Sequence, residues 1–404
     1  MLIVLLMTAV MFGVLLDWSD SAPEDQSEDT TDFPEEMPEV QPEQLQDPQP
    51  VEVQDTDEGV GRSDPSETDE PPETRVFSFG SGETVLGSAG DDIFLLDPDF
   101  EEKRLFVYSS AASGSVVTGG DGDDRMFLHD NNTRFSFGGG SVDGGAGDDQ
   151  ILISGVGIAI DGGTGNDTIE TSTGSRLWDA TVQGGDGDDI IDVTWQNGDG
   201  FASLNGGAGD DLIDIRESVN TNTIAFGDEG NDTIRIGPDL HSRGTGYTTA
   251  GNGGDGDDQL IQDADVRALL GDDRGRNSPM LMTGGEGADI FELNTVSGSG
   301  LFGSFEGAPD VVSREWMIVT DFEVGTDAIV FDLEALTSGF LTPSTAQMIE
   351  DTEAGETLVS VVLDAEGFSD QALVIRVAAV GLDWDDMQFV GASPALEEPS
   401  TLVA

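Results

Sequence analysis

An aspartate recurs at one fixed place in a glycine-rich pattern, Gly-Gly-x-Gly-x-Asp-x-apolar-x, and nine copies of that pattern run through the middle of the chain. The plainest is Gly184-Gly185-Asp186-Gly187-Asp188-Asp189-Ile190-Ile191-Asp192. The copies begin at Gly87, Gly119, Gly144, Gly162, Gly184, Gly206, Gly227, Gly253 and Gly284. The sixth position is always aspartate: Asp92, Asp124, Asp149, Asp167, Asp189, Asp211, Asp232, Asp258 and Asp289. Glycines let a turn pass through left-handed conformations and bring its carbonyls close to an ion. The aspartate adds a carboxylate. Hard oxygen donors of both kinds suit calcium.

The other columns of the repeat describe the elements that must position these groups. The fourth position is always glycine, and the second tolerates Ser88 and Asp228, which marks those two turns as atypical. The fifth is looser, with Asn166, Asn231 and Ala288 in place of aspartate, so its side chain is read as no required ligand. The eighth is always apolar, from Phe94 to Phe291, and the tenth is usually so, as at Leu128, Ile153 and Ile215. Apolar residues also precede the turns, as at Val117, Ile160 and Leu204. Alternation with a period of two buries one face of a strand. Each unit therefore reads as strand, tight turn, strand, with both strands facing one core. Successive turns start 32, 25, 18, 22, 22, 21, 26 and 31 residues apart. Such periods indicate a solenoid, with the glycine-aspartate turns stacked on one edge and irregular connections on the other.

The nonapeptides resemble the hemolysin-type calcium-binding repeats of the RTX (repeats-in-toxin) family, over roughly residues 80–295. The resemblance implies a parallel β-roll with calcium held between neighbouring turns. Its metal ligands would be the nine sixth-position aspartates, together with backbone carbonyls of the turns led by the nine glycines named above. Family arrays often carry turns on both edges, whereas most coils here carry one. The expectation is a single calcium column with at most eight ions between nine turns. The competing reading is a cation-free, glycine-rich β-helix whose aspartates are merely solvated.

Composition narrows the function. The chain has 404 residues, 82 acidic and 15 basic, and a formal charge of −67. Such a surface repels nucleic acid and anionic membranes and attracts cations and basic partners. There is no cysteine, so neither disulfides nor thiol catalysis contributes. His129 and His241 are the only histidines, which excludes a His-Glu-x-x-His zinc site, and no Gly-x-Ser-x-Gly is present.

Residues 1–18 read as a hydrophobic anchor or signal, with an apolar run from Leu2 to Leu16 that offers a membrane tether. Residues 19–75 are rich in Glu, Asp, Pro, Gln, Ser and Thr and read as a disordered acidic linker. The β-roll is placed at 76–311. A C-terminal β cap is placed at 312–392, where the resemblance implies a type I secretion region, and a tail at 393–404. Within the cap, Asp321-Phe322-Glu323-Val324-Gly325-Thr326-Asp327-Ala328-Ile329 resembles an element that follows the last RTX repeats. Two strand-like runs, Thr357 to Leu363 and Ala372 to Val380, come next. The cap is expected to pack over the open end of the roll, because an uncapped solenoid exposes strand edges.

The fold expected is all-β, a parallel β-roll or β-helix solenoid with a C-terminal β cap. The function expected is calcium binding by a secreted or cell-surface protein with a structural or adhesive role, folding on calcium after export. Extracellular polysaccharide or a cell-surface molecule is the partner class. No catalytic residue is assigned. The alternative is a secreted, polysaccharide-active enzyme with its site on the irregular edge.

Overall fold

A computed structural model describes residues 75–79, 83–96, 112–128, 137–153, 155–171, 177–194, 201–216, 222–237, 249–265, 279–296, 311–338, 341–365 and 370–402. The expected anchor, both histidines, and all of the expected linker but Arg75 lie outside them. Among the described residues no helix is long and apolar enough to cross a membrane.

The described chain is a parallel β-solenoid, as the apolar periodicity predicts. One sheet follows the turns. Its strands, in order, are β1 (Arg75–Phe79), β3 (Asp92–Leu96), β6 (Arg125–Leu128), β9 (Gln150–Ile153), β12 (Thr168–Thr171), β15 (Ile190–Thr194), β17 (Leu212–Arg216), β19 (Thr233–Ile236), β21 (Gln259–Asp265), β23 (Ile290–Val296), β25 (Ala328–Asp332) and β29 (Met387–Val390). The opposite sheet enters the turns. It runs through β2 (Thr84–Leu86), β5 (Val116–Asp121), β8 (Ser141–Ala146), β11 (Ala159–Thr164), β14 (Ala180–Asp186), β16 (Phe201–Ala208), β18 (Asn222–Glu229), β20 (Ala250–Asp255), β22 (Met280–Glu286) and β24 (Val311–Val319). It continues through β28 (Asp370–Val377), β27 (Glu356–Ala365) and β26 (Leu341–Asp351).

Equivalent residues stack in register. Ile169 lies opposite Ile191, Ile191 opposite Ile213, and Ile213 opposite Ile234. Across the core, Ile160, Val182 and Leu204 form the matching row of the other sheet. All of these side chains are buried. Burying each one stabilises the fold by about 1.5–3 kcal/mol. The pattern thins at Ala225 and Gly251, where the neighbouring Met282 side chain fills the space over Gly251.

The second edge is more regular in its first coils than the sequence suggests. β4 (Ala112–Ser113), β7 (Phe137–Gly138), β10 (Gly155–Val156) and β13 (Leu177–Trp178) form a third, short parallel sheet there. Two-residue strands have no periodicity to read, which is why the sequence shows only irregular connections.

At the C-terminal end the two main sheets simply continue. β24 and β25 add a further coil after the ninth turn, and β29 extends the first sheet. The second sheet then changes direction. β28 pairs antiparallel with β27, and β27 antiparallel with β26. Arg376 joins β24, β28 and β27 on the outer face, donating to Glu315 at 2.8 and 3.0 Å and to Glu356 at 2.7 Å. The free edge of β26 is covered by β30 (Ala395–Leu396) and β31 (Ser400–Thr401), both parallel to it.

Candidate metal centre

The nine sixth-position aspartates stand in one column, at the point where each turn enters the first sheet. All nine are buried, Asp211 being the most exposed at 3%. That is incompatible with aspartates that are merely solvated. One carboxylate oxygen, Oδ1, ties neighbouring coils together. It accepts the backbone N–H of the sixth-position residue in the preceding coil. Asp92 N–H donates to Asp124 at 2.6 Å, Asp124 to Asp149 at 2.7 Å and Asp149 to Asp167 at 2.8 Å. The series goes on through Asp189, Asp211, Asp232, Asp258 and Asp289, at 2.7–3.0 Å.

The second oxygen has no such bond. Oδ2 of Asp124, Asp149, Asp167, Asp189, Asp211, Asp232 and Asp258 is buried and without a hydrogen-bond partner. Its surroundings explain the leading glycines. A Cβ on Gly119 would collide with Asp124 Oδ2 and with the carbonyl oxygen of Gly144 in the next coil. The same pair of collisions recurs at Gly144, Gly162, Gly184, Gly227 and Gly253. At Gly206 and Gly284 the Cβ would strike the carboxylate of Asp211 or Asp289, and at Gly87 the carbonyl oxygen of Gly119. The structure thus brings together the two donor types that the sequence names, a sixth-position carboxylate and the carbonyl of a leading glycine. Both are acceptors, and side by side they repel. A proton on the carboxyl, a cation, or a water donating to both oxygens relieves them.

Burial pushes these acids up. Desolvation, opposed by the backbone N–H and reinforced by neighbouring carboxylates, brings Asp149, Asp167 and Asp211 to about 7. It brings Asp124, Asp189, Asp232, Asp258 and Asp289 to about 6. Above neutrality the column is therefore a row of buried negative charges. Among the described residues no group of three or more His, Cys, Asp or Glu side chains converges as a metal site. Each place offers one orphaned carboxylate oxygen and backbone oxygen instead. This hard donor set fits calcium and leaves the remaining coordination to further carbonyls or water.

Both ends of the column are closed. At Asp92, Oδ2 accepts from Ser88 N–H at 2.6 Å and Ser88 Oγ at 2.9 Å. At the other end Asp327 forms a tenth rung: its Oδ1 accepts from Asp289 N–H at 3.0 Å and its Oδ2 from Glu323 N–H at 2.7 Å. Asp321 caps the ninth turn, accepting from Gly284 and Gly285 N–H at 3.0 Å each. The two atypical turns are thus unlike. Asp228 keeps the left-handed conformation, at φ 79°, while Ser88 avoids it and closes its aspartate.

The fifth position, set aside as a ligand, builds a second ladder. Its side-chain oxygen accepts the N–H of the same position in the next coil. Examples are Asp148 N–H to Asp123 Oδ1 at 3.0 Å, Asn166 N–H to Asp148 Oδ1 at 2.9 Å and Asp188 N–H to Asn166 Oδ1 at 3.0 Å. Asparagine serves as well as aspartate because the bond needs an oxygen, not a charge. Ala288 ends the series, donating to Asp257 Oδ1 at 2.9 Å with no further repeat to serve. The signal in the sequence was that only the last copy lacks an oxygen.

On the outer face of the first sheet Arg235 holds Asp263 at 3.0–3.1 Å, and Asn294 donates to the same carboxylate at 2.8 Å. Both oxygens of Asp263 are engaged within this cluster. No family model matches the chain, and no curated protein matches it.

Proposed function

We propose that this chain is a calcium-binding β-roll of the RTX type, exported from the cell, with a structural or adhesive role. One observation carries the reading: seven buried carboxylate oxygens in a single column, each without a partner. Calcium would supply the positive charge that they lack. The sixth-position aspartates and the leading-glycine carbonyls would hold it. The leading glycines leave the room, and the backbone N–H groups fix the carboxylates from Asp124 to Asp258 through Oδ1, so that Oδ2 would be the oxygen turned to the ion.

Binding and folding are then one process. Separated in an unfolded chain, the aspartates have ordinary acidity and no cost of burial. Stacked without a cation, they oppose folding. Metal binding free energy therefore becomes folding free energy. Extracellular calcium modules bind at roughly 10⁻⁴ to 10⁻³ M. Such a roll stays open at cytosolic calcium and closes outside. The chain's −67 charge acts in the same direction, since self-repulsion keeps the cation-free chain expanded.

The test is a calcium titration of the full chain at pH 8, followed by far-ultraviolet circular dichroism and calorimetry. The expected result is a cooperative gain of β signal in the millimolar range, reversed by chelator and not reproduced by magnesium. A full β signal in chelator at pH 8, unchanged by calcium, would sink the proposal.

A further inference from the structure

β26 is the last strand of the second sheet, and only one of its edges is fully used. β27 pairs with it from Leu341 to Asp351. On the other edge the C-terminal tail meets it at four residues only, Thr345, Ala346, Ile349 and Glu350. Main-chain bonds hold the tail there, Glu397 N–H to Ala346 O at 3.0 Å and Leu402 N–H to Glu350 O at 2.8 Å. Trp384 Nε1 adds a bond to Glu397 O at 3.0 Å, and Gln347 Nε2 one to Glu397 Oε2 at 3.1 Å. The tail buries little in return: Leu396 is 50% exposed and Leu402 58%. Strand addition of this kind draws its affinity from the backbone, and the side chains add little specificity here.

We propose that the free edge of β26 is a strand-acceptor site and that residues 395–401 are an exchangeable strand, so that two copies of this chain pair by reciprocal exchange of their C-terminal tails. Three observations favour a second copy as the partner. Each of these bonds made by the tail in cis can be made unchanged by the identical tail of another chain. The acceptor stretch from Leu341 to Ile349 carries no charge, in a chain whose formal charge is −67. Of the four residues that the tail meets, only Glu350, at the end of the strand, carries a charge, so repulsion from the edge is confined to that end. The tail is also joined to the body by a short link, residues 391–394, between β29 and β30. Four residues span at most about 14 Å when extended. Tail exchange would thus hold two rolls close together at their C-terminal ends. Exchange of one identical element is a low-cost route to a two-fold dimer. The inference is independent of the calcium reading.

The experiment uses the full chain, folded in calcium, concentrated and then diluted, with mass measured by light scattering after size exclusion. The expected result is separate monomer and dimer species that persist on dilution, because exchange requires the tail to unzip. Two versions with different N-terminal tags should form mixed dimers only when concentrated together. The double variant Glu397→Pro/Leu402→Pro removes both main-chain donors and should lower the dimer fraction at least tenfold without changing the β signal. A chain ending at residue 392 should be monomeric and should bind a synthetic peptide of residues 393–404. Absence of dimer in the full chain at every concentration overturns the proposal. So does dimerisation of the double-proline variant to the wild-type extent, which would mean that bare β26 edges pair directly. If the shortened chain fails to fold, the double-proline variant decides alone.

Discussion

At the scale of single residues, the two oxygens of one carboxylate do different work, and substitutions can separate them. Asp189 Oδ1 accepts from Asp167 N–H at 2.7 Å, while Oδ2 faces the carbonyl of Gly206 without a partner. Asp189→Ala removes both and strands a buried N–H, a loss of about 1–3 kcal/mol. Asp189→Asn keeps the acceptor and turns an amide donor toward Gly206. In chelator at pH 8 the asparagine variant should melt at or above the wild-type temperature and the alanine variant below it. Calorimetry should find about one calcium ion fewer in both. An asparagine variant that melts with the alanine variant would mean that charge is not the burden on this rung. The acidities also give a sign. A carboxyl raised in the folded state holds a proton there that the unfolded chain has already released. This contribution to stability is present at low pH and is lost as pH climbs from the ordinary 3.8 through about 6 to 7. Without calcium the melting temperature should fall across that window. The difference that calcium makes should grow over the same window, since the ion must displace the proton. Melting curves in chelator from pH 5 to 8 check both, and a curve that rises with pH would contradict the burial argument.

At the scale of the elements, the turns decide where the column begins and ends. Ser88 occupies a position that is glycine in seven other turns and gives both its N–H and its Oγ to Asp92. A glycine there permits the left-handed turn found at Gly185, with φ 126°. Ser88→Gly removes the Oγ bond and lets the turn swing its N–H away from Asp92 Oδ2, as in the Gly185 turn, which should lengthen the column by one place and add about one calcium ion by calorimetry. An unchanged stoichiometry would show that the first coil is closed by β1 and not by Ser88. The turns and the two main sheets were legible in the sequence because glycine, aspartate and a period of two mark them independently. Other parts were hidden for physical reasons. Asp327 acts as a rung, yet its turn lacks the leading glycine pair, since Asp321 caps the ninth turn instead. β26 escapes because Pro343 and a run of polar residues interrupt its alternation, which only an edge strand with a bulge tolerates. The fifth-position ladder was hidden by its own tolerance. A hydrogen-bond acceptor can be aspartate or asparagine, so variation in that column looked like absence of a role.

At the scale of the whole molecule, two kinds of negative charge coexist, and salt separates them. The fifth-position ladder is exposed, as at Asp123, Asp148 and Asp188. The sixth-position column beside it is buried. Exposed charges are screened by any electrolyte, and the Debye length falls from about 10 Å at 0.1 M to about 3 Å at 1 M salt. Buried charges without solvent are screened far less, and their orphaned oxygens need a ligand that reaches them. Sodium chloride in chelator should therefore ease the general repulsion of this −67 chain and raise its melting temperature in part. It should not bring the chain to the melting temperature seen in millimolar calcium. The remaining gap measures the buried column alone, and it should narrow in variants that carry asparagine at Asp149, Asp167 and Asp211, the three most strongly raised acids. If 1 M salt alone reproduced the effect of calcium, the acidity of the surface, not the seven orphaned oxygens, would govern folding, and the proposed metal column would lose its support.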